Sequence, residues 1–303
     1  PANTLRRIRN FCFGPPRDPM DPNTRGHIAL IAFFAWVGLG ADGLSSAAYG
    51  PELGYLALGT HARFGLYLAL ATAVTVFIIS LAYNQVIELF PSGGGGYKVA
   101  TQLIGPKAGL VSGAALIVDY VLTISISIAS ATDQLFSLLP VGAQHLKLAL
   151  GVVLIIMLIV LNLRGLKEAI KVLLPIFLGF VVVHIVLIVY GVATHSDRLP
   201  GLLPATWNET LELKAETGWF FVVSTLLLAY SQGGGTYTGL EAVSNNVNTL
   251  AEPRVRTGKW TMFYMAVSLA FTAGGILLLY MLWDAKPVEG STLNAVVFKS
   301  ILD

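Results

Sequence analysis

Three carboxylic acids, Asp42, Asp119 and Glu241, lie well inside long apolar segments, and no Lys or Arg lies comparably deep in the sequence. An ionised acid near the centre of a membrane costs about 2.5–3.5 kcal/mol, so three unpaired carboxylates would cost on the order of 8 kcal/mol. Either the acids are protonated or a cation neutralises them. A site that alternates between these two states would couple proton movement to cation movement. Amine groups on a substrate could also neutralise the acids.

Hydroxyl side chains accompany Asp119 on one side of its predicted helix. At 100° per residue, the side chains within about 80° of one another are Asp119, Thr123, Ser127 and Ser130, with Tyr120 beside them. Hydroxyls in membrane helices commonly bond the carbonyl one turn earlier, which is our interpretation of Ser130. Thr123 is the better ligand candidate.

A second set of oxygens surrounds Glu241. Thr238 lies three residues before it, so both side chains face one side of the same half-helix. The Gly run at 233–235 releases backbone carbonyls beside them. Oxygens of these kinds suit a hard alkali cation.

Asp42 belongs to a Gly-rich interruption, residues 38–52, in the middle of a long apolar segment. The flanking pieces, 27–39 and 44–58, are too short to span a bilayer alone. Backbone groups freed inside hydrocarbon cost several kcal/mol unless they are buried in protein or line a polar cavity. The interruption therefore predicts a binding site where a membrane helix opens.

A similar interruption, residues 231–239, divides a helix that begins near Gly218 and is predicted to resume through Glu241 to about Leu250. The two interrupted helices are the first and the sixth. Interrupted helices at corresponding positions of two repeats are typical of inverted-repeat transporters with a midplane site. Seven helices hold one five-helix repeat and two helices of the next, so we expect the chain to be incomplete.

The composition defines the class of protein. Of 303 residues, 55% are hydrophobic and 12% are charged, and the mean hydropathy is +0.71. Soluble domains carry about 25% charged residues, so the composition predicts an all-α integral membrane protein. The net charge of +2 and the single Cys12 favour neither nucleic acid nor disulfides. Because no catalytic triad or metal cluster is visible, we predict a non-enzyme without cofactors.

The predicted organisation is a cytoplasmic N-terminal tail, residues 1–26, followed by a transmembrane domain, residues 27–303. Residues 91–98 predict a turn or a re-entrant loop, for which we favour close helix packing, and residues 195–216 predict a polar loop. The seven predicted helices are 27–58 and 218–250, both interrupted, and 64–84, 108–139, 146–163, 172–194 and 260–283.

Orientation is predicted from the basic residues of alternating loops. Thirteen of the 19 Lys and Arg residues lie on the side of the N-terminal tail. Because cytoplasmic loops carry the excess of Lys and Arg, the N-terminus is predicted to be cytoplasmic.

Two further titratable residues lie near the predicted helices. His184 could relay protons, but a single His in an apolar helix is more often hydrogen-bonded within the core, which we favour. Asp133, near the end of the third helix, is either a gate or an interfacial residue.

Three segments resemble one known superfamily of transporters. Residues 40–52 (GADGLSSAAYGPE), 118–123 (VDYVLT) and 238–247 (TGLEAVSNNV) look like the APC superfamily. Within it, the chain is most similar to the KimA-type branch of the KUP potassium importers, over about residues 27–303. The DGLSS opening together with VDY is the narrower signal for this branch.

The resemblance implies a LeuT-type 5+5 inverted-repeat fold, proton-driven potassium uptake at the cell membrane and commonly a homodimer. It also implies potassium contacts at Asp42, Tyr49, Asp119, Tyr120, Thr123, Ser127, Thr238 and Glu241. Five of these, Asp42, Asp119, Thr123, Thr238 and Glu241, are the acids and hydroxyls that the sequence itself offers as candidate cation ligands. Proton coupling is expected of Glu241 and Asp119, and Glu241 is the better carrier because it follows an interruption.

The alternative is a proton-coupled amino-acid or polyamine permease of the same superfamily. In such carriers the N-terminal ends of half-helices receive a substrate carboxylate. Asp42 would repel that carboxylate, which favours a cation, although a polyamine escapes this objection. A receptor or scaffold needs no unpaired acids at the interruptions.

Overall fold

The computed structural model describes residues 7, 10 and 29–303, without the side chains of residues 141, 164, 166 and 167. The predicted tail, residues 1–26, therefore lies outside the described part apart from residues 7 and 10. The described helices are, in chain order, α1 (Ala32–Ser46), α2 (Gly50–Ala57), α3 (Gly65–Leu89), α4 (Gly95–Val99), α5 (Pro106–Phe136), α6 (Lys147–Arg164), α7 (Leu166–Thr194), α8 (Leu199–Thr217), α9 (Trp219–Gln232), α10 (Ala242–Asn245), α11 (Arg254–Leu282) and α12 (Leu293–Leu302).

Five of the helices in the described part are long and apolar enough to cross a membrane: α3, α5, α6, α7 and α11. A helix needs about 20 mostly apolar residues to span the hydrocarbon core, and the length of each of these five helices approaches or exceeds that number. The chain is therefore an all-helical, multi-pass membrane protein, as the composition predicts.

The first interruption lies later in the chain than its Gly content suggests. α1 continues through Asp42 to Ser46, and the turn occupies residues 47–49 before α2 begins at Gly50. The hydroxyl of Ser45 donates to the carbonyl of Asp42 over 2.8 Å, which satisfies one carbonyl of the last turn of α1. Asp42 therefore projects from a helix and not from unwound backbone.

The second interruption is longer. A 3-10 helix, Gly233–Tyr237, follows α9, and the chain then passes through an extended Thr238 and a left-handed Gly239. The resumed helix is shorter than predicted, because α10 covers only Ala242–Asn245 before a 3-10 turn at Val247–Thr249.

The predicted polar loop at 195–216 is wrong, since most of it forms α8. Thr206, Thr210 and Leu213 are buried at spacings of four and three, which is a helical stripe. The hydroxyl of Thr206 donates to the carbonyl of Arg63, and Thr210 bonds the hydroxyl of Tyr67. The stripe was missed because threonines supply most of it.

The core is centred on α11, which packs most extensively against α3 and also contacts α1, α7 and α12. One apolar cluster joins α11 to α1, α3 and α7, and a second joins it to α2, α8, α9 and α12. By contrast, the apolar residues of α5 and α6 are mostly exposed. Helices of that kind face lipid or further protein.

A backbone bridge connects the two interrupted segments at one end. The N–H of Leu30 donates to the carbonyl of Thr249 over 2.9 Å, and the N–H of Ala251 donates to the carbonyl of Leu30 over 2.8 Å. The residues that lead into α1 are thereby paired with those that follow α10.

Candidate cation-binding site

The two interruptions lie side by side. The hydroxyl of Ser46, at the end of α1, lies 2.8 Å from the carbonyl of Thr236. A Cβ on Gly50 would collide with the side chain and backbone of Thr236, so a larger residue could not begin α2 there. These contacts fix the turn at 47–49 against the 3-10 helix.

Gly239 brings the second interruption against Asp42. It has a φ of 87°, a conformation that L side chains rarely adopt. A Cβ at this position would lie 2.9 Å from the carboxyl carbon of Asp42 and 2.5 Å from the backbone nitrogen of Gly43. Only glycine permits this approach, which places the Asp42 carboxylate beside the segment that carries Glu241.

The structure brings the three predicted acids together. The carboxylate of Glu241 lies within electrostatic range of both Asp42 and Asp119, and those two lie within range of each other. All three side chains are partly buried. Within the described part of the chain, no Lys or Arg forms a salt bridge with any of them. The three carboxyl groups are therefore near one another, and no described Lys or Arg forms a salt bridge with them.

The predicted hydroxyls surround Tyr49. Its buried phenol lies next to the side chains of Ser127 on α5 and Thr238 after the 3-10 helix. Thr238 donates its hydroxyl proton to the carbonyl of Gly235 over 2.9 Å, so the lone pairs of its oxygen stay available to a cation. Thr123, one turn before Ser127, is buried as well.

Several oxygens of this site are buried without a hydrogen bond of acceptable geometry among the described residues: the Tyr49 hydroxyl, the Ser127 hydroxyl and Oε1 of Glu241. Tyr49 and Ser127 are neighbours, but their mutual geometry is too poor for a hydrogen bond. Because buried polar atoms are nearly always bonded, a cluster of unsatisfied oxygens beside three acids fits a ligand that accepts lone pairs. A desolvated cation meets that requirement.

Glu241 lies just before α10. Its carboxylate is adjacent to the backbone N–H groups of Gly239 and of Glu241 itself. Its carbonyl accepts the hydroxyl of Ser244 over 2.9 Å. The side chain therefore belongs to a short segment with few helical bonds, whereas Asp119 belongs to the continuous α5.

Two polar residues near the acids were not predicted. Nδ2 of Asn245 donates to the Tyr120 hydroxyl over 2.7 Å, which fixes that phenol. Tyr83 on α3 lies within electrostatic range of Glu241 and Asp119. Tyr83 and Asn84 form an adjacent polar pair in an apolar helix, and this pair could have indicated from the sequence that Tyr83 lies near the site.

The Gly-rich turn after α3 supports Asn245. The N–H of Gly94 donates to the Asn245 carbonyl over 3.1 Å. Gly95 contacts the Asn245 side chain so closely that a Cβ would overlap it. The prediction of close packing for residues 91–98 is confirmed. Because this packing holds Asn245, and Asn245 donates to the Tyr120 hydroxyl, it also positions Tyr120.

A polar junction joins the turn at 47–49 to α5 and α12. The carbonyl of Ala48, in the turn between α1 and α2, accepts Nε2 of Gln134 over 3.3 Å and Nδ2 of Asn294 over 3.0 Å. Oε1 of Glu52 accepts the N–H of Leu293 over 2.9 Å. Because three elements meet at these bonds, α12 is attached to the turn and to the end of α5.

The remaining titratable residues lie apart from the acids. His184 is buried, stacks on Phe180 and lies 2.8 Å through Nδ1 from the carbonyl of that residue, as expected for a core histidine. Asp133 is paired with Lys147 over 2.8 Å and is about half exposed, 48%.

Comparison with known proteins identifies the class of this chain. The amino acid permease family model matches residues 32–301, and the chain belongs to this family of membrane transporters. A particular relative is the potassium transporter KimA of Bacillus subtilis (strain 168), to which the chain is 34% identical over 292 residues. The match covers 94% of this chain and 46% of that protein, so the chain spans about half the length of its curated relative. The predicted resemblance to KimA-like transporters is confirmed.

Proposed function

We propose that the chain is the ion-binding part of a secondary active transporter that imports potassium together with protons. The observation that carries the proposal is the convergence of Asp42, Asp119 and Glu241 with unsatisfied buried oxygens and without a salt bridge to any Lys or Arg that the structure describes. The printed name of the relative KimA supports potassium as the substrate. Transport without chemistry on a substrate accounts for the site, so no enzymatic activity or cofactor is proposed.

The ion is proposed to lie between α1, the segment 238–241 and α5. The first-choice ligands are the oxygens of Asp42, Asp119, Thr123, Thr238 and Glu241. Tyr49, Tyr120 and Ser127 complete the proposed set. Alkali cations are held by several oxygens that replace the hydration shell, which this set can provide.

The proposed architecture is the LeuT-type 5+5 inverted repeat. In this assignment α1 with α2, and α9 with α10, are the two interrupted helices, and residues 27–303 form the transporter domain. The N-terminus is proposed to be cytoplasmic, the membrane to be the cell membrane and the assembly to be a homodimer.

Proton coupling follows from the charge of the site. When potassium leaves, three carboxylates remain in a partly buried site, and their repulsion favours proton uptake. Glu241 is the proposed carrier because Oε1 is unsatisfied and its segment has few backbone bonds to hold it. Asp119, held by a continuous helix, is proposed to remain a potassium ligand.

The competing function is an amino-acid or polyamine permease, which the matched family model favours by its description. An amino-acid carboxylate at the second interruption would approach Asp42, whose carboxyl carbon lies against Gly239. That repulsion argues against zwitterionic amino acids. Polyamines carry no carboxylate and are the sharper competitor.

The test is uptake of rubidium or potassium into proteoliposomes that contain the full-length natural protein. Amino acids and polyamines serve as competitors. The proposal expects alkali-ion uptake that is insensitive to these competitors and that requires an inward proton gradient. Uptake unaltered by collapse of the pH gradient at fixed membrane potential would identify a channel or uniporter instead.

A further inference from the structure

An apolar groove lies on the helix bundle, and none of the three acids lines it. It is a cavity of about 370 Å³ between α1, α7 and α11. Its wall includes Phe33, Trp36, Ile185, Phe263, Val267 and Phe271. Nε1 of Trp36 donates to the hydroxyl of Ser268 over 3.1 Å, so its polar atom is satisfied inside an otherwise apolar groove. Phe33, Phe263 and Phe271 remain 39–52% exposed.

A second cavity, of about 610 Å³, continues the first toward the beginning of α11. Phe263 lines both cavities, and the second also contacts Arg256, Lys259 and Trp260. The residues Arg256, Trp260, Phe263, Val267 and Phe271 follow one another at spacings of four, three, four and four. Such spacing forms a single stripe along the helix.

The stripe changes from basic to aromatic to apolar along its length. Arg256 is exposed and forms no salt bridge with an acid of the described residues, while Lys259 pairs with Glu88 and Arg254 pairs with Glu252. Among the described residues, one positive charge at the beginning of α11 is thus left without an acidic partner. Trp260 follows within about one turn, where an aromatic ring suits the membrane interface, and the rest of the stripe is apolar.

We propose that this groove binds a membrane phospholipid with an anionic headgroup. The phosphate lies at Arg256, and one acyl chain follows the stripe past Trp260 into the cavity beside Trp36. The order of basic, interfacial and apolar residues matches the order of headgroup, glycerol and chain. The stripe spans about 22 Å at 1.5 Å per residue, and half of the hydrocarbon core together with one headgroup region measures about 20–22 Å.

The opposite wall of the groove is α1, which carries Asp42. A bound chain fills the space between Phe33, Trp36 and α11, so it stabilises α1 in its present position. Anionic phospholipid is therefore expected to raise the thermal unfolding temperature of the protein more than a zwitterionic phospholipid does. A basic residue near anionic headgroups contributes about fivefold in lipid affinity. Loss of Arg256 is therefore expected to lower the affinity for anionic phospholipid by about that factor.

Native mass spectrometry of the full-length protein tests the headgroup, with phosphatidylglycerol compared with phosphatidylethanolamine. We expect preferential retention of phosphatidylglycerol and a loss of about fivefold in that retention in Arg256→Gln. Lys107→Gln is the matched control, because Lys107 is an exposed basic residue in the first turn of α5. Equal retention of the two lipids, or an equal loss in the control, overturns the proposal.

Fluorescence quenching tests the acyl chain. In a variant that keeps Trp36 and replaces the other tryptophans by Phe, brominated phosphatidylglycerol should quench Trp36, and Arg256→Gln should weaken the quenching. A second copy of the chain or another protein segment in the groove would shield Trp36 from the brominated chains. Unquenched Trp36 in a protein that still unfolds cooperatively therefore refutes lipid in the groove.

Discussion

Replacement of Gly239 by Ala tests the contact between the two interruptions. Alanine at a φ of 87° costs about 1–2 kcal/mol in backbone strain. Its Cβ would also lie 2.5 Å from the nitrogen of Gly43, whereas ordinary contacts begin at 3.4 Å, so the two segments must separate by roughly 0.9 Å. The atoms in contact are backbone and the carboxyl of Asp42, which no rotamer change of a flexible side chain can relieve.

The separation moves Glu241 away from Asp42 and loosens the proposed ion site. Strain of about 1.4 kcal/mol corresponds to tenfold in affinity, and misplacement of reacting groups by about 1 Å can cost 100-fold in rate. We therefore expect the potassium concentration for half-maximal uptake to rise between tenfold and 100-fold in Gly239→Ala. The measurement is rubidium uptake by proteoliposomes at varied potassium concentration.

The matched control is Gly234→Ala. Gly234 belongs to the same Gly run, but it has no positive φ, and a Cβ there would meet no atom within 4 Å. This variant should keep the potassium dependence of the natural protein. A natural potassium dependence in Gly239→Ala, with normal thermal unfolding, would show that the two segments do not form the ion site together.

The other predictions concern the acids and the polar junction. Asp119→Asn keeps the volume but removes the charge, so it should raise the potassium concentration for half-maximal uptake at least tenfold; natural dependence would make Asp119 structural. Glu241→Gln should flatten the pH dependence of the remaining uptake, and a retained pH profile would assign the proton to another group. Asn294→Ala removes donation to the Ala48 carbonyl and leaves the Tyr280 hydroxyl unpaired, so it should lower the free energy of unfolding by about 1–3 kcal/mol, measured by denaturant unfolding. Exposed Asn248→Ala is its control, and equal stability of the two variants would contradict a role for the junction.

The acids were predictable because their cost in hydrocarbon makes them conspicuous in any apolar sequence. Asp42 and Glu241 were also recognisable as partners, since both belong to Gly-rich interruptions five helices apart. The position of the first turn was not predictable from glycine content alone. Gly38, Gly40 and Gly43 are tolerated inside α1, where Gly38 packs against Ile170 and Gly40 against Met265. Those glycines allow close helix packing, and the turn at 47–49 comes only after Ser45 and Ser46.

Asn245 and Tyr83 show a second limit of prediction from the sequence alone. Their roles depend on which helix faces which, and neither is marked by local spacing. Asn245 acquires its role only when the Gly-rich turn after α3 reaches α10 and fixes the amide toward Tyr120. Likewise, α8 was concealed because its buried stripe is threonine, whose burial depends on carbonyl and hydroxyl partners on the neighbouring segment around Arg63 and Tyr67. Contacts between distant segments carry this information.

The bridge between Leu30 and residues 249–251 holds the chain that leads into α1 against the chain that follows α10. Two backbone hydrogen bonds, each worth about 0.5–1.5 kcal/mol, must break before the residues that lead into α1 can separate from residues 249–251. Because Leu30 and Leu250 are also buried, the separation would expose both side chains. Any rotation of α1 that keeps these bonds therefore carries residues 249–251 along with Leu30.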